Sequence, residues 1–498
     1  MKLSSDLLKA LKLEDAAAKV TSDHLDRMPL LVSEKALTDA SSRLARAANT
    51  DHAAGTRISS STFSMPRKGF GARPVTMLAA RDRTLYDALV DRLRPSLPRE
   101  SRGPEQWETF KAFGLPGSES TAKYVVSLDI ASMYEYVDHQ VLQRELLVQT
   151  LDHPAVEATI ALLGEAFSFP RGLPQMMTSS DLLADVYLGV LERELLRQGY
   201  RLARYADDFR VLADTWGEAH RIIEHAAESA RSIGLVLSSE KTKVRFAKTL
   251  QEEEDELRKV LRNYFNEARF EQLIMSDVMN WYVDPDEATP PPTEQEAMIE
   301  AFRQVLIGWT SSKDAGIPSG LVSKAIIALG PNTERLSDEV LSKVLWRDQL
   351  KLSSIINYLT ARSDEKEANR QTLATLTAME RQSPWAKLWL LHAADEAPMD
   401  GSEHALAIRK WAVGQLKDEH EVVRAEAAWV LAGWGALSER ELAELFGRAT
   451  RLTRAGLAAA LGRSGHPASS SMVKAIMGAS SLFKDAYEWG SKHVAAAA

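Results

Sequence analysis

Cysteine is absent from the 498-residue chain. That excludes a disulfide framework and any zinc site built on thiolates, and a reducing cytosol is the expected compartment. No stretch approaches the roughly 18 apolar residues of a membrane span. The opening residues, Met1-Lys2-Leu3-Ser4-Ser5-Asp6, meet charges before an apolar segment of leader length forms. A cytoplasmic protein without membrane contact is therefore expected. Positive charge is in deficit, with a net charge of −8. This argues against a surface that binds nucleic acid all over and confines any such contact to a local groove. Paired-histidine metal motifs, a Gly-x-Ser-x-Gly elbow and a phosphate loop ending in Lys-Ser/Thr are also missing. No tyrosine precedes Tyr86.

The length suggests two to four domains and more than one sizeable core. Up to about residue 56 the apolar spacing of Leu7, Leu8 and Leu11, then of Leu37, Leu44 and Ala47, predicts two amphipathic helices. Met65-Pro66-Arg67-Lys68-Gly69-Phe70-Gly71-Ala72-Arg73 places basic residues around two glycines. Glycine lets backbone approach an anion, and Lys68 and Arg73 could close on its oxygens. A solvated basic hairpin is the plain alternative. Arg92, Arg94, Arg99 and Arg102 follow a predicted helix and form the locally basic region. Most would be structural, with a few tracking phosphate.

Tyr124-Val125-Val126-Ser127-Leu128 has the content of a buried strand, and it ends in Asp129. A helix N-cap is the commoner role for such an aspartate. Residues 141–168 read as helical. The loop Gly172-Leu173-Pro174-Gln175-Met176-Met177 opens a long helix to about Gln198, with Ser179, Ser180 and Asp181 suited to its N-cap region. Next, Arg204-Tyr205-Ala206-Asp207-Asp208-Phe209 sets two adjacent carboxylates between short apolar runs, the pattern of a β-hairpin with acids at its tip. A helix from about Gly217 to Ser232 and a strand-turn-strand from Gly234 to Val244 follow. The acidic run from Glu252 to Glu256 reads as a solvated helix start. Thr289-Pro290-Pro291-Pro292-Thr293 is the one clear linker.

Beyond the linker the composition shifts to Ala, Leu and Trp, with eight of the eleven tryptophans. Segments at 385–391, 423–431 and 453–462 are loosely alike, spaced roughly 30 to 40 residues apart as in helical solenoids. Their tryptophans are expected to pack rather than to stack on bases. The expected division is an N-terminal helical segment at 1–56, a catalytic region at 57–250, a connector and linker at 251–296, and an α-helical repeat domain at 297–498.

Asp129 and the Asp207-Asp208 pair sit on separate strand ends with a loop and helix between them. Two-metal phosphoryl transfer needs such an arrangement: two Mg²⁺ ions sharing carboxylates, one activating a 3′-hydroxyl and one neutralising the departing pyrophosphate. Over about residues 60–250 the chain resembles a prokaryotic reverse transcriptase. Asp129 to His139 resembles the first catalytic motif of that family. Gly172-Leu173-Pro174-Gln175, with Ser180 and Leu182-Leu183-Ala184, resembles the second. Tyr205-Ala206-Asp207-Asp208 is the third, and Gly234-Leu235 through Glu240-Lys241-Thr242 the fourth. Lys68 and Arg73 resemble the fingers residues.

The resemblance implies an α+β right-hand polymerase with palm and fingers, an antiparallel sheet with helices, followed by an all-α HEAT-like repeat domain. It implies that Asp129, Asp207 and Asp208 hold two Mg²⁺ ions and that Lys68 and Arg73 bind the triphosphate. Tyr134 would be the gate that excludes a ribose 2′-hydroxyl, Gln175 would position nucleotide or template, and Lys241 could protonate pyrophosphate. A surface lysine is the alternative for the last. The family usually has glycine where Met176 stands, which puts template handling in question. A reverse-transcriptase core followed by helical repeats resembles the abortive-infection and other defence-associated enzymes. Members oligomerise, and some make DNA from dNTPs without a template, attached to a protein hydroxyl. Where a tyrosine near the N-terminus is the primer this chain departs, so a Ser or Thr, a later tyrosine or a nucleic-acid primer would serve. The leading expectation is thus a template-independent, protein-primed DNA polymerase in phage defence, making single-stranded DNA. Copying of a bound non-coding RNA, and a catalytically inert scaffold, are the alternatives.

Overall fold

The computed structural model describes residues 2–23, 25–67, 71–98, 102–117, 122–253, 255, 292–311, 317–331, 334–397 and 400–494. Lys68 and the linker up to Pro291 lie outside them. Pro292, the last proline of that run, opens the helix Pro292–Thr310, the helix position at which proline costs nothing.

Two sheets carry the catalytic region. The strands β1 (Ser60–Pro66) and β2 (Ala72–Leu78) form an antiparallel hairpin in which Met65 faces Arg73. The second sheet contains β3 (Tyr124–Asp129), β4 (Leu202–Tyr205), β5 (Asp208–Ala213) and β6 (Lys243–Phe246) in the order β4-β5-β3-β6, antiparallel throughout. Strand side chains alternate between faces. Val126 and Leu128 on β3, paired with Val211 and Phe209 on β5, turn into the main core. Val125, paired with Leu212, belongs to a separate small cluster on the other face. Asp129 shares parity with Val125, and so stands on the face away from the main core. Behind the sheet pack the helices Thr178–Arg197 and Trp216–Ser232.

Several sequence expectations change in detail. The N-terminal segment forms not two helices but Ser5–Ala10, Leu13–Ser22, Val32–Lys35 and Ser41–Ala54. Residues 141–168 divide into the helices His139–Thr150 and His153–Ala166, because Leu151 takes a left-handed φ of 54° and Asp152 caps the second helix through Ala155 N–H. The first arm of the Gly234–Val244 unit shrinks to a single bridge between Leu237 and Ile130.

The C-terminal region is all helical. Among the described residues Ser319–Ala328, Leu352–Ala361, Pro384–Glu396, Glu421–Gly433, Arg454–Arg463 and Ser481–Ser491 pack each on the next, with the intervening helices in a second layer. This is a stack of helix pairs, as in an α-solenoid, and the three segments that look alike in sequence all fall in the first layer. Gly462 and Gly490 explain how closely its last two helices approach. A Cβ on Gly462 would collide with the Tyr487 carbonyl oxygen, and one on Gly490 with the Ala459 carbonyl oxygen.

The N-terminal segment lies between the two halves. The helices Leu13–Ser22 and Ser41–Ala54 pack on the catalytic-region helix Ala80–Leu93, while Val32–Lys35 packs on Glu421–Gly433 and Arg454–Arg463. Val32 N–H donates to Glu426 Oε1 at 2.7 Å. Asp51 accepts from Arg81 Nη1 at 2.6 Å and from Arg451 Nη1 at 2.9 Å. One contiguous hydrophobic core runs from Leu3 to Tyr487 through all three parts. Among the described residues no helix is long and apolar enough to cross a membrane.

Candidate active site

The hairpin of β4 and β5 turns through Ala206 and Asp207, and Ala206 adopts φ of 51°. A left-handed alanine costs roughly 1–2 kcal/mol, so the surroundings must hold the turn. They do so on both sides. Arg204 Nη1 donates to Ala206 O at 3.1 Å, and Tyr205 packs with Trp107 and Phe110 of the helix Pro104–Ala112. The register puts Asp208 directly opposite Asp129. Directly paired residues project from the same face, with Cβ atoms about 4.5–5.5 Å apart. Asp207, in the turn, is the next residue along.

The three carboxylates feel one another. Burial pushes Asp208 up to about 7, with further pushes from Asp207 and Asp129. Burial also raises Asp129, against an opposing pull from Lys241. Lys241 reaches this point because residues 236–238 run along the end of β3. Ala131 N–H donates to Val236 O at 2.9 Å and Ser238 N–H to Asp129 O at 2.7 Å. Lys241 Nζ then lies 2.8 Å from Asp129 Oδ1, on a side chain that is 67% exposed. Asp129 caps no helix, since the N-cap of Met133–Tyr136 is Ser132, and Lys241 is an exposed lysine ion-paired to it.

Among the described residues no group of three or more His, Asp or Glu side chains is placed so as to hold a metal ion. The donor set nevertheless suits Mg²⁺. It is all carboxylate oxygen, the hard ligand that ion prefers, burial raises the Asp129 and Asp208 carboxyls, and one cation, Lys241, already lies against Asp129.

Beside the acids opens a pocket whose lining includes Asp26, Arg27, Arg67, Arg73, Arg102, Tyr134, Gln175, Met176, Asp181 and Asp207. Of the residues predicted from sequence, Arg73, Tyr134, Gln175 and Asp207 thus line one cavity; Lys68 lies outside the described residues. Burial lowers the Arg73 pKa, and Arg27 and Arg67 lower it further, so these three guanidiniums lie within electrostatic reach of one another. Tyr134 and Gln175 come together because the loop before Gln175 bonds back onto the helix Met133–Tyr136. Leu173 N–H donates to Tyr134 O and Gly172 N–H to Val137 O, both at 2.8 Å.

A buried polar chain, unforeseen in the sequence, fixes the tyrosine. Tyr134 OH donates to Asp181 Oδ1 and accepts from Arg102 Nη1 at 3.0 Å. Arg102 pairs with Asp181 at 3.0 Å and with Asp185 at 3.2 Å, and Asp185 pairs with Arg204 at 3.1 Å. The chain therefore links the ring of Tyr134 to the aspartate turn through Arg204. Arg102 is committed to carboxylates, so it is one of the structural arginines of the basic region. Asp181, pushed up to about 6 chiefly by burial, is a member of the network and not a cap. Ser179 and Ser180 do not cap either: Ser179 Oγ donates to Asp87 Oδ1 at 2.6 Å, and Ser180 Oγ lies 2.8 Å from Tyr86 OH. The helix N-cap is Met177, without a side-chain bond.

Met176 has φ of 66°. The backbone thus keeps the left-handed conformation that glycine favours, and the methionine side chain packs partly buried against the core. The N–H of Asp26 approaches its carbonyl oxygen at 3.4 Å.

Residues 65–268 match the family model described as reverse transcriptase (RNA-dependent DNA polymerase). A comparison with curated proteins found no match. Among solved structures, the chain is similar to a telomerase from Candida albicans in complex with the TWJ fragment of telomeric RNA, at 11% identity and a TM-score of 0.28 over 74% of this chain and 63% of that one. It is likewise similar to a telomerase from Candida tropicalis in complex with the same kind of RNA fragment, at 11% identity and a TM-score of 0.30 over 80% of this chain and 68% of that one.

Proposed function

We propose that this chain, which carries a reverse transcriptase domain at residues 65–268, is a DNA polymerase that extends a 3′-hydroxyl with dNTPs in anti-phage defence, without copying a template. The observation that carries the polymerase reading is the cross-strand pairing of Asp129 with Asp208 beside Asp207, at the mouth of a pocket lined by guanidiniums and a tyrosine. Asp129, Asp207 and Asp208 would hold Mg²⁺, which when bound supplies charge neutralisation for a pentacovalent phosphate and its leaving group.

The chain's own residues do the rest. Arg73, with Lys68 beside it in sequence, grips the triphosphate. The Tyr134 ring, held by Asp181 and Arg102, forms the wall against which the sugar lies, and Gln175 orients the nucleotide. Lys241 stands close enough to the acids to give a proton to pyrophosphate.

Template independence is favoured by the loop at Met176. A methionine side chain fills space there, and the Asp26–Arg27 segment closes against its backbone at the pocket lining. Helical repeats behind a reverse transcriptase domain support the defence assignment. If a protein hydroxyl primes synthesis, Tyr86, Tyr187 and Tyr358 are poor candidates, since all three are fully buried.

The test is synthesis by purified protein from dNTPs and Mg²⁺ alone, beside Asp207→Ala, with phage plating of cells expressing each. Polymer made only by the parent, and protection lost in Asp207→Ala, are expected. Protection that survives Asp207→Ala would overturn the enzymatic reading. A product of defined sequence that depends on co-purified RNA would overturn template independence alone.

A further inference from the structure

We infer that Arg27, from the N-terminal segment, is a nucleotide-binding residue whose guanidinium closes on the triphosphate, and that the helical half holds it in place. This rests on the reading of the pocket as a nucleotide site. Arg27 lines the same cavity as Arg67, Arg73, Tyr134 and Asp207. Arg67 and Arg73 arrive on the hairpin of β1 and β2; Arg27 arrives from a segment about forty residues earlier, across the pocket. Arg27 and Arg67 both disfavour the charge on Arg73. Like charges gathered from separate segments repel, and a polyanion is the ligand class that reverses the penalty. A triphosphate supplies several oxygens for planar guanidinium donors to share.

The backbone at Arg27 supports the same conclusion. Its φ is 60°, a left-handed conformation that costs a non-glycine residue roughly 1–2 kcal/mol. Residues held in such conformations cluster at ligand clamps. Two indoles hold this one: Trp385 Nε1 donates to Arg27 O at 2.8 Å and Trp389 Nε1 at 3.2 Å. Both tryptophans project from one face of the helix Pro384–Glu396, at the i,i+4 spacing that stacks side chains along a helix. Trp385 is only 1% exposed, so its ring is fixed by packing. The helical half therefore reaches across the N-terminal segment to shape the catalytic pocket.

The experiment is equilibrium binding of each of the four dNTPs, as non-hydrolysable α,β-imido analogues so that nothing turns over, with Mg²⁺ to the full chain. Arg27→Gly suits the left-handed backbone and removes the guanidinium. It should weaken binding of all four dNTPs by about tenfold or more, the effect of losing a charge-assisted contact. Arg27→Lys should recover part of the loss, and binding of a single-stranded oligonucleotide should be unchanged. Unaltered dNTP binding in Arg27→Gly, with binding lost in Arg73→Ala, would overturn the role of Arg27 and leave the pocket assignment standing. Weakening confined to the oligonucleotide would also overturn it, by placing Arg27 on a strand. No dNTP binding by the parent would overturn both readings.

Discussion

Lys241 Nζ stands 2.8 Å from Asp129 Oδ1, a lysine ammonium on the carboxylate that the sheet pairs with Asp208. A divalent cation and an ammonium compete for the same oxygen. Lys241→Met should therefore lower the Mg²⁺ concentration giving half-maximal synthesis by several-fold, read from initial rates across a Mg²⁺ titration. An unchanged or increased requirement would show that the lysine does not contest the site. A fall in kcat of about 10²-fold or more in the same variant is expected if Lys241 also gives the proton to pyrophosphate.

Tyr134 is held by Asp181 and Arg102, which makes its ring a rigid wall. Tyr134→Ala should raise ribonucleotide incorporation relative to deoxyribonucleotide by on the order of 10- to 100-fold, the range a steric pocket wall supplies. Tyr134→Phe keeps the ring and should leave the ratio near the parent value. Competition assays with matched rNTP and dNTP pairs measure both, and equal ratios in parent and Tyr134→Ala would refute the gate.

Glu426 is buried, accepts from Val32 N–H, and is pushed up to about 8 chiefly by that burial. An unfolded glutamate titrates near 4.3. Between those values the folded chain binds more protons than the unfolded one, so this group favours folding fully below about 4, and that contribution falls as pH rises until it levels off above about 8. Glu426→Gln keeps an acceptor for Val32 and removes the charge. It should flatten the decline in thermal stability between pH 5 and 8 and raise the melting temperature most at pH 8. Parallel curves for variant and parent would contradict this.

Gly490→Ala places a methyl group against the Ala459 carbonyl oxygen. Overpacking between backbones that cannot shift independently costs roughly 1–3 kcal/mol, so the last two first-layer helices should separate. Earlier proteolysis near the C-terminus and a lower melting temperature are expected. Gly478→Ala, where an added Cβ meets nothing within 4 Å, is the control that should melt like the parent.

Trp385→Phe preserves an aromatic ring and removes one donor from the Arg27 carbonyl oxygen. The dNTP KM should rise a few-fold, with kcat within about twofold. Equal falls in kcat and kcat/KM would instead point to general damage.

Much of the site could be read in the sequence, for local reasons. A strand that alternates faces and ends in Asp129, and a hairpin with acids at its tip, place the acids at strand ends; the resemblance singles them out, and the structure puts Asp207 in the turn and Asp208 at the start of β5. The repeat spacing past the linker likewise foretells which helices form the first layer. Arg27, Arg102 and Asp181 could not be found that way. Their roles depend on which segments the fold packs together, and nothing in the local pattern of Leu25–Met28 or of Ser179–Asp181 distinguishes a pocket wall from a loop or a cap. Met176 was legible only in part. The methionine there is a bulky side chain, as read, and what the sequence did not show is that it sits on a left-handed backbone with φ of 66°.

The N-terminal segment, wedged between the catalytic region and the solenoid, bears on how the chain is made. A ribosome that has finished the first 250 residues has delivered Asp129, Asp207 and Asp208 and the hairpin of β1 and β2. Trp385, Glu426 and Arg451, which dock Arg27, Val32 and Asp51, are still unsynthesised. Growing chains fold as their parts emerge, so in a truncated or nascent product Arg27, Val32 and Asp51 would lack these partners, and the N-terminal segment would take its final place only with translation of the distal helices.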